Sequence, residues 1–375
     1  MQKHRVLVLT AALTLGAAVA CAAPPRPATV LLVTSDELAD AWKPFAEWKT
    51  RLGKSTEIIT TRQIDATFKG RDIQEKIRAC VLEHIRKRGT RWVVLGGDSL
   101  PGGKGHVPDR DTPHQVMRLR YRDIPTDVYY LSEEDWDAND DGVYGDWKND
   151  RKEIAYTNPR ACIGRIPLRT TRDVEAYTRK VISYESKYPA TDFARTFVYT
   201  CPESGAYPKL TTSRKTLAAA WDGGKLMPFF ANKTPWDKKR PGDHDLSPAN
   251  WARMINGKTV GKLHMHGHGF LPVWILEKRS KVDARTVAGL TNRDAYPILT
   301  TVSWLTGQYE GKQDPSITES MLRKPEGGAS EIIAPSRPGV PIFSNPADFR
   351  KMISEGKMDG TTQTLTRFWV AGLSK

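Results

Sequence analysis

From residue 29 the chain alternates short apolar runs with longer amphipathic ones. TVLLVTS (29–35) is a β-branched run of strand length. Behind it Leu38, Trp42, Phe45, Trp48 and Leu52 recur at helical spacing, with Pro44 a local cost and a candidate kink. STEIITT (55–61) predicts a second strand. RDIQEKIRACVLEHIRKRG (71–89) predicts an amphipathic helix with Ile73, Ile77, Cys80, Val81 and Ile85 turned inward and Gly89 as its stop. RWVVLGGD (91–98) predicts a third strand. Residues 99–160 break the rhythm, and irregular stretches of that length are usually functional or inserted. A helix follows over 171–188, with Val174, Tyr177, Val181 and Tyr184 on one face. Further strands fall at RTFVYTC, LMPFFAN, GKLHMHG, YPILTTVSW and GASEIIAP, with helices around 209–222, 247–257, 316–324 and 345–356.

Strands alternating with helices predict an α/β fold, a mainly parallel sheet with helices on both faces. No internal repeat of solenoid period is present. The pattern divides near residue 190, giving an N-terminal α/β subdomain over 24–190, a second over 191–340 and a C-terminal helical extension over 341–375. In such sheets reactive side chains gather at the carboxyl ends of strands. Those ends carry Asp98, Cys201 with Glu203, His268, and Ser303 with Trp304.

Residues 1–23 change the picture. Lys3 and Arg5 precede an apolar run from Val6 to Val19 and then small residues, the layout of an export signal. AVAC, ending at Cys21, is similar to a bacterial lipoprotein signal; cleavage near Ala22 or Ala23 reads equally well. The chain is thus expected to be exported, touching a membrane only through an N-terminal lipid. Three cysteines remain beyond it, Cys80, Cys162 and Cys201, an odd number without regular spacing that argues against a disulfide scaffold. Cys80 reads as a core thiol. The formal charge of +14 is spread along the chain and reads as a solvated surface, not a nucleic-acid arm.

KLHMHGHGF (262–270) sets His264, His266 and His268 at alternate positions. On a strand such residues share a face, so they are candidate ligands of one zinc ion in a metal-dependent hydrolase. They are also readable as ordinary strand residues. The third reading is a catalytic His268 in a Gly-His-Gly turn, with the Gly269 N–H free to face an oxyanion.

LHMHGHG, followed by ILTTVSWLTGQYEG and then SITESMLRKPEGGASEIIAPSR, resembles the gingipain family of cysteine peptidases, relatives of caspases. WVVLGGD, IPTDVYYL, CIGRIPLRT and VEAYTRKVISYE extend the resemblance, in order, over roughly residues 29 to 336. It implies two caspase-like three-layer subdomains and a catalytic His268. It also implies a nucleophilic cysteine at the end of the next strand, where this chain has Trp304. Indole carries one N–H donor and no nucleophile. The expectation is therefore a peptidase fold without peptidase chemistry, binding peptide or protein segments in its cleft.

Two rescues remain open. Ser303 adjoins the site, but strand alternation turns its hydroxyl to the other face. Cys201 ends a strand expected beside that of His268, and a thiol there would give an active endopeptidase. The resemblance further implies that Asp127 receives a basic substrate side chain; a structural role is also open. The first strand begins so soon after the signal that a long inhibitory propeptide is not expected, and no immunoglobulin-like domain is expected after residue 340. No cofactor is required. Asp137, Asn139 and Asp141, with Gly142 behind them, have the spacing of calcium ligands, although Lys148 stands where an EF-hand needs glutamate. Such an ion would pin the long loop.

Overall fold

The computed structural model describes residues 27–101, 104–116, 119–146, 149–150, 161–187, 191–201, 225–230, 244–265, 267–277, 280–311 and 315–337. The signal-like leader, Glu203, His266 and the helices expected at 209–222 and 345–356 lie outside them.

The first sheet holds β1 (Val30–Thr34), β2 (Thr56–Thr60), β3 (Trp92–Gly96) and β6 (Cys162–Ile166) in the order β2-β1-β3-β6, all parallel. Its core follows from strand alternation. Leu31 and Val33 enter one cluster, with Ile77, Cys80 and Val81 of α3 (Ile73–Arg88). Leu32, between them, joins the opposite cluster, with Leu38, Trp42 and Phe45 of α1 (Asp36–Arg51) and Val174, Tyr177 and Val181 of α4 (Thr171–Lys187). A continuous apolar strand is what a sheet covered on both faces requires. Gly89 ends α3 in the left-handed conformation, φ 71°, as its position predicts. Pro44 is accommodated inside α1. A short helix, α2 (Thr61–Thr67), was not expected; a Thr60/Gln63 capping box starts it.

The second sheet runs β15-β14-β10-β7-β8-β9, again all parallel. Its strands are β7 (Thr196–Cys201), β8 (Lys225–Phe230), β9 (His244–Asp245), β10 (Lys262–Met265), β14 (Ile298–Thr301) and β15 (Glu331–Ile333). Helix α5 (Asp192–Arg195) leads into β7. Val198, Leu263, Met265 and Leu299 bury against α6 (Pro248–Asn256), α7 (Ala284–Ala288) and α8 (Ile317–Arg323). The parallel α/β architecture expected from the sequence is thus observed.

Two additions fall where the sequence pattern gave no signal. The long irregular stretch contains an antiparallel pair, β4 (Asp111–Val116) and β5 (Leu119–Pro125), and a 3-10 turn over Asp127–Leu131. A three-stranded antiparallel sheet, β11 (His268–Phe270), β12 (Val273–Glu277) and β13 (Ser280–Asp283), interrupts the second half. It corrects one expectation: β10 ends at Met265, so His264 and His268 do not share one strand.

No described helix is long and apolar enough to cross a membrane. The two halves meet through α4 and α8. Leu322 enters the α1–α4 cluster, and the wholly buried Lys180 donates to the carbonyls of Met321 and Leu322 at 3.0 and 2.8 Å. Burial, with Lys324 adding repulsion, lowers the Lys180 ammonium to about 7.

Candidate functional site

The carboxyl ends of β10 and β14, neighbours in the second sheet, deliver the residues singled out from sequence. After Thr301 the chain turns sharply. Thr301 Oγ1 accepts from the Ser303 N–H (3.0 Å), and Thr306 Oγ1 donates to the Ser303 carbonyl (2.8 Å). Thr318 Oγ1 donates to the Thr306 carbonyl (2.7 Å), and the Gly307 N–H donates to the Pro335 carbonyl (3.0 Å). A β-carbon on Gly307 would stand 2.7 Å from Ala334 Cβ, so glycine is what lets the turn close on the segment after β15. Leu305 sits at φ 61°, a conformation that costs a branched residue on the order of 1 kcal/mol. Trp304, half-buried, lies at the head of this fastened turn, and Ser303 is buried behind it.

β11 lies against the same turn. A β-carbon on Gly269 would meet Thr306 Cγ2 at 2.5 Å, Ser303 Cβ at 2.9 Å and the Trp304 carbonyl oxygen at 3.0 Å. Only a residue without a side chain allows so close an approach. It places His268, exposed and adjacent in sequence, beside the turn that carries Trp304. Gly269 is itself in strand register with Trp274. Phe270 follows at 59% exposure.

His264 is placed differently. It is buried between β7 and β14, with its Nδ1 2.8 Å from Thr300 Oγ1 and its carbonyl accepting from Thr200 Oγ1 at 3.0 Å. Among the described residues no three His, Cys, Asp or Glu side chains gather as metal donors.

The described thiols lie in the first half. Cys80 is a core residue of α3, and burial, aided by Glu57 and Glu83, pushes its thiol up to about 12. A group so shifted is not a nucleophile at neutral pH. Cys162 is exposed on β6. Cys201 ends β7, the strand beside β10; its side chain lies outside the described residues.

Asp127 sits in the seam between the halves. Both its oxygens accept from Arg165, at 2.9 Å from Nε and 2.7 Å from Nη2. The buried guanidinium also donates to the carbonyls of Gly97 (3.1 Å) and Pro108 (3.3 Å), and stands 4.9 Å from the ring centre of Tyr309, five residues past Trp304. A basic substrate side chain would have to displace Arg165 to reach Asp127. Asp109 lies in the same seam, and burial raises its carboxyl to about 7 against the pull of Arg165. Asp98 is likewise paired with an arginine, 3.0 Å from Arg169 Nε, while Arg169 Nη2 donates to the Gly311 carbonyl at 2.9 Å. Arg165 is not among the residues that the sequence motifs single out. A lone arginine inside CIGRIPL, an otherwise apolar strand, is the signal for a buried carboxylate partner.

The acidic loop is held by hydrogen bonds. Asp137 Oδ1 accepts from the N–H groups of Asp141 (2.9 Å) and Gly142 (3.1 Å), and its Oδ2 accepts from Arg71 Nη1 at 2.7 Å. Arg71 also reaches Asp140 (2.7 Å), and Asn139 Nδ2 donates to Asp141 (2.8 Å). A cation bound there would have to displace the Arg71 guanidinium.

A sequence profile of Peptidase family C25 matches residues 23–366. No curated protein matches the chain by sequence. Solved structures do match. A complex of the pro- and mature domains of Porphyromonas gingivalis RgpB is 16% identical, with a TM-score of 0.62, covering 89% of this chain and 76% of that one. The Arg-specific cysteine proteinase gingipain R (RgpB) is 18% identical, with a TM-score of 0.60, over 82% and 62%. A further solved structure, "Structure of Protease", is 14% identical, with a TM-score of 0.58, over 85% and 60%. The protein thus spans about three-fifths of the length of two of these chains and shares their fold.

Proposed function

The chain belongs to Peptidase family C25, a family of cysteine peptidases, and from that premise we propose that it is an exported peptide-binding protein whose cleft retains the catalytic histidine and lacks the nucleophile. The observation carrying this reading is the contact of Gly269 with Ser303, Trp304 and Thr306. It supports His268 as the proton-transferring residue and Trp304 as the residue at the nucleophile position. Peptide hydrolysis by this chemistry needs a thiolate to attack the scissile carbonyl while histidine shuttles the proton. An indole at that place neither attacks nor leaves the carbonyl its room. Loss of a nucleophile ordinarily removes about 10⁶-fold in rate. What remains is the exposed surface of His268 and Phe270, against which a bound peptide segment would lie.

A second reading keeps an endopeptidase, with Cys201 as the nucleophile. It is favoured by one observation, the position of Cys201 at the end of the strand beside β10. The two separate on one preparation. The unmodified protein is incubated with a fluorogenic peptide panel, including Arg and Lys before the bond, and peptide binding and cleavage are followed with and without iodoacetamide. Binding without cleavage is expected. Cleavage abolished by the thiol reagent overturns the proposal in favour of Cys201.

A further inference from the structure

The amino end of the first sheet carries a feature that peptide binding does not use. α1 and α3 run antiparallel to the strands, so both deliver their basic carboxyl-terminal turns there, beside the residues that start β2 and β3. Arg51, Lys54, Arg86 and Arg91 are exposed, and none has an ion-pair partner among the described residues. Of the nearby carboxylates, Glu57 is engaged with Arg88 (2.5 Å) and Glu83 with Lys87 (3.1 Å), while Glu331 stands within range of the Lys54 charge. Two large apolar side chains stand among these cations, Leu52 at 46% and Trp92 at 40% exposure, with Lys54 Nζ 5.2 Å from the Trp92 ring centre. Exposed apolar groups rimmed by lysine and arginine, with a tryptophan among them, are the chemistry of a face that rests on an anionic bilayer: the cations meet headgroup phosphates and the indole sits at the interface.

The N-terminus points the same way. The Pro27 carbonyl accepts from Ser55 Oγ (2.9 Å), the Ala28 N–H donates to the Arg88 carbonyl (3.0 Å), and the Ala28 carbonyl accepts from Thr90 Oγ1 (2.6 Å). The leader therefore joins the fold at this face. Five residues separate Cys21 from Pro27, and the six Cα-to-Cα steps between the two reach at most about 20 Å. A lipid on Cys21 would hold this face, and no other part of the first sheet, against the membrane. We infer that the basic amino end of the first sheet, with Leu52 and Trp92 at its centre, docks on an anionic lipid surface.

The test is co-sedimentation of the full chain with phosphatidylcholine vesicles, with and without phosphatidylglycerol. The unmodified chain is compared with R51E/K54E/R86E/R91E and with a control, R253E/K258E/K281E/R285E, that changes net charge equally in the second half. Circular dichroism melts establish that all three are folded; should the first variant fail to fold, R51Q/K54Q/R86Q/R91Q replaces it. The leader is common to all three chains, so differences between them report the face. The expected result is a preference of the unmodified chain and the control for anionic vesicles, falling at least about tenfold in the face variant and weakening with salt. Leu52→Ala with Trp92→Ala should weaken binding further. Equal losses in face variant and control would trace the attraction to net charge and overturn the inference. So would the absence of any preference for anionic vesicles.

Discussion

Arg165 holds both oxygens of Asp127, Nε at 2.9 Å and Nη2 at 2.7 Å, and faces the ring of Tyr309 at 4.9 Å. One guanidinium thereby ties the 3-10 turn after β5 to the segment that continues from the Trp304 turn. Both partners are largely buried, with 4% and 16% of their side chains exposed. Breaking one side of such a pair costs about 3–5 kcal/mol, because the remaining charge stays desolvated. Asp127→Asn should therefore lower unfolding free energy in urea by about 3 kcal/mol and leave the preference among bound peptides unchanged. A stable variant with altered preference for Arg or Lys peptides would instead place Asp127 in a substrate pocket.

The approach of β11 to the Trp304 turn predicts a paired result. Gly269→Ala puts a methyl group 2.5 Å from Thr306 Cγ2, and overpacking of this kind costs about 1–3 kcal/mol. Thr306→Ser removes that methyl while retaining the hydroxyl that donates to the Ser303 carbonyl. In the double variant part of the stability should return. Independent, additive losses would show that the two segments do not touch.

These two relationships also mark how far the sequence alone leads. β1, α1 and α3 were legible because their apolar residues keep a period of strand or helix, and Gly89 stops α3 where expected. β11 to β13 were not. His268–Phe270 is three residues long and Ser280–Asp283 is mostly polar, so neither displays a period. The alternating histidines read as one strand, whereas the strand ends at Met265 and another begins at His268 in a different sheet. β4 and β5 were hidden by polar residues and by Pro113 and Pro125. His268 and Trp304 were paired by resemblance; in the structure it is Gly269, next to His268 in sequence, that closes on the turn carrying Trp304. The partner of Asp127 lies 38 residues away, and no local pattern announces an ion pair of that span.

Lys180 makes stability depend on pH. Its ammonium is lowered from 10.5 to about 7 by burial, first, and by Lys324. Between these values the unfolded chain binds more protons at this residue than the folded one, so stability rises with pH, by up to about 1.4 kcal/mol per unit. Below about pH 7 the contribution is constant. Tyr296, whose ring centre is 5.6 Å from Nζ, and the carbonyls of Met321 and Leu322 are the polar groups it meets. Urea midpoints should climb from pH 7.5 to 9.5, and Lys180→Met should flatten that slope. An unchanged slope in the variant would assign it to other groups.

Arg71 governs what calcium does at the acidic loop. Its guanidinium stands on Asp137 and Asp140, so an ion must compete with it for the same oxygens. Calcium should raise the melting temperature of Arg71→Ala more than that of the unmodified protein. Equal shifts in the two would mean that calcium binds elsewhere or without displacing Arg71.

On this reading the site is complete except for its nucleophile. The direct measurement is cleavage of the fluorogenic peptide panel by Trp304→Cys beside Trp304→Cys/His268→Ala, with reductant present. Thiol-sensitive cleavage is expected from the first and a loss of at least about 10³-fold in the second. Cleavage that survives removal of His268, or a folded Trp304→Cys protein that cuts nothing while the unmodified chain does, would contradict it.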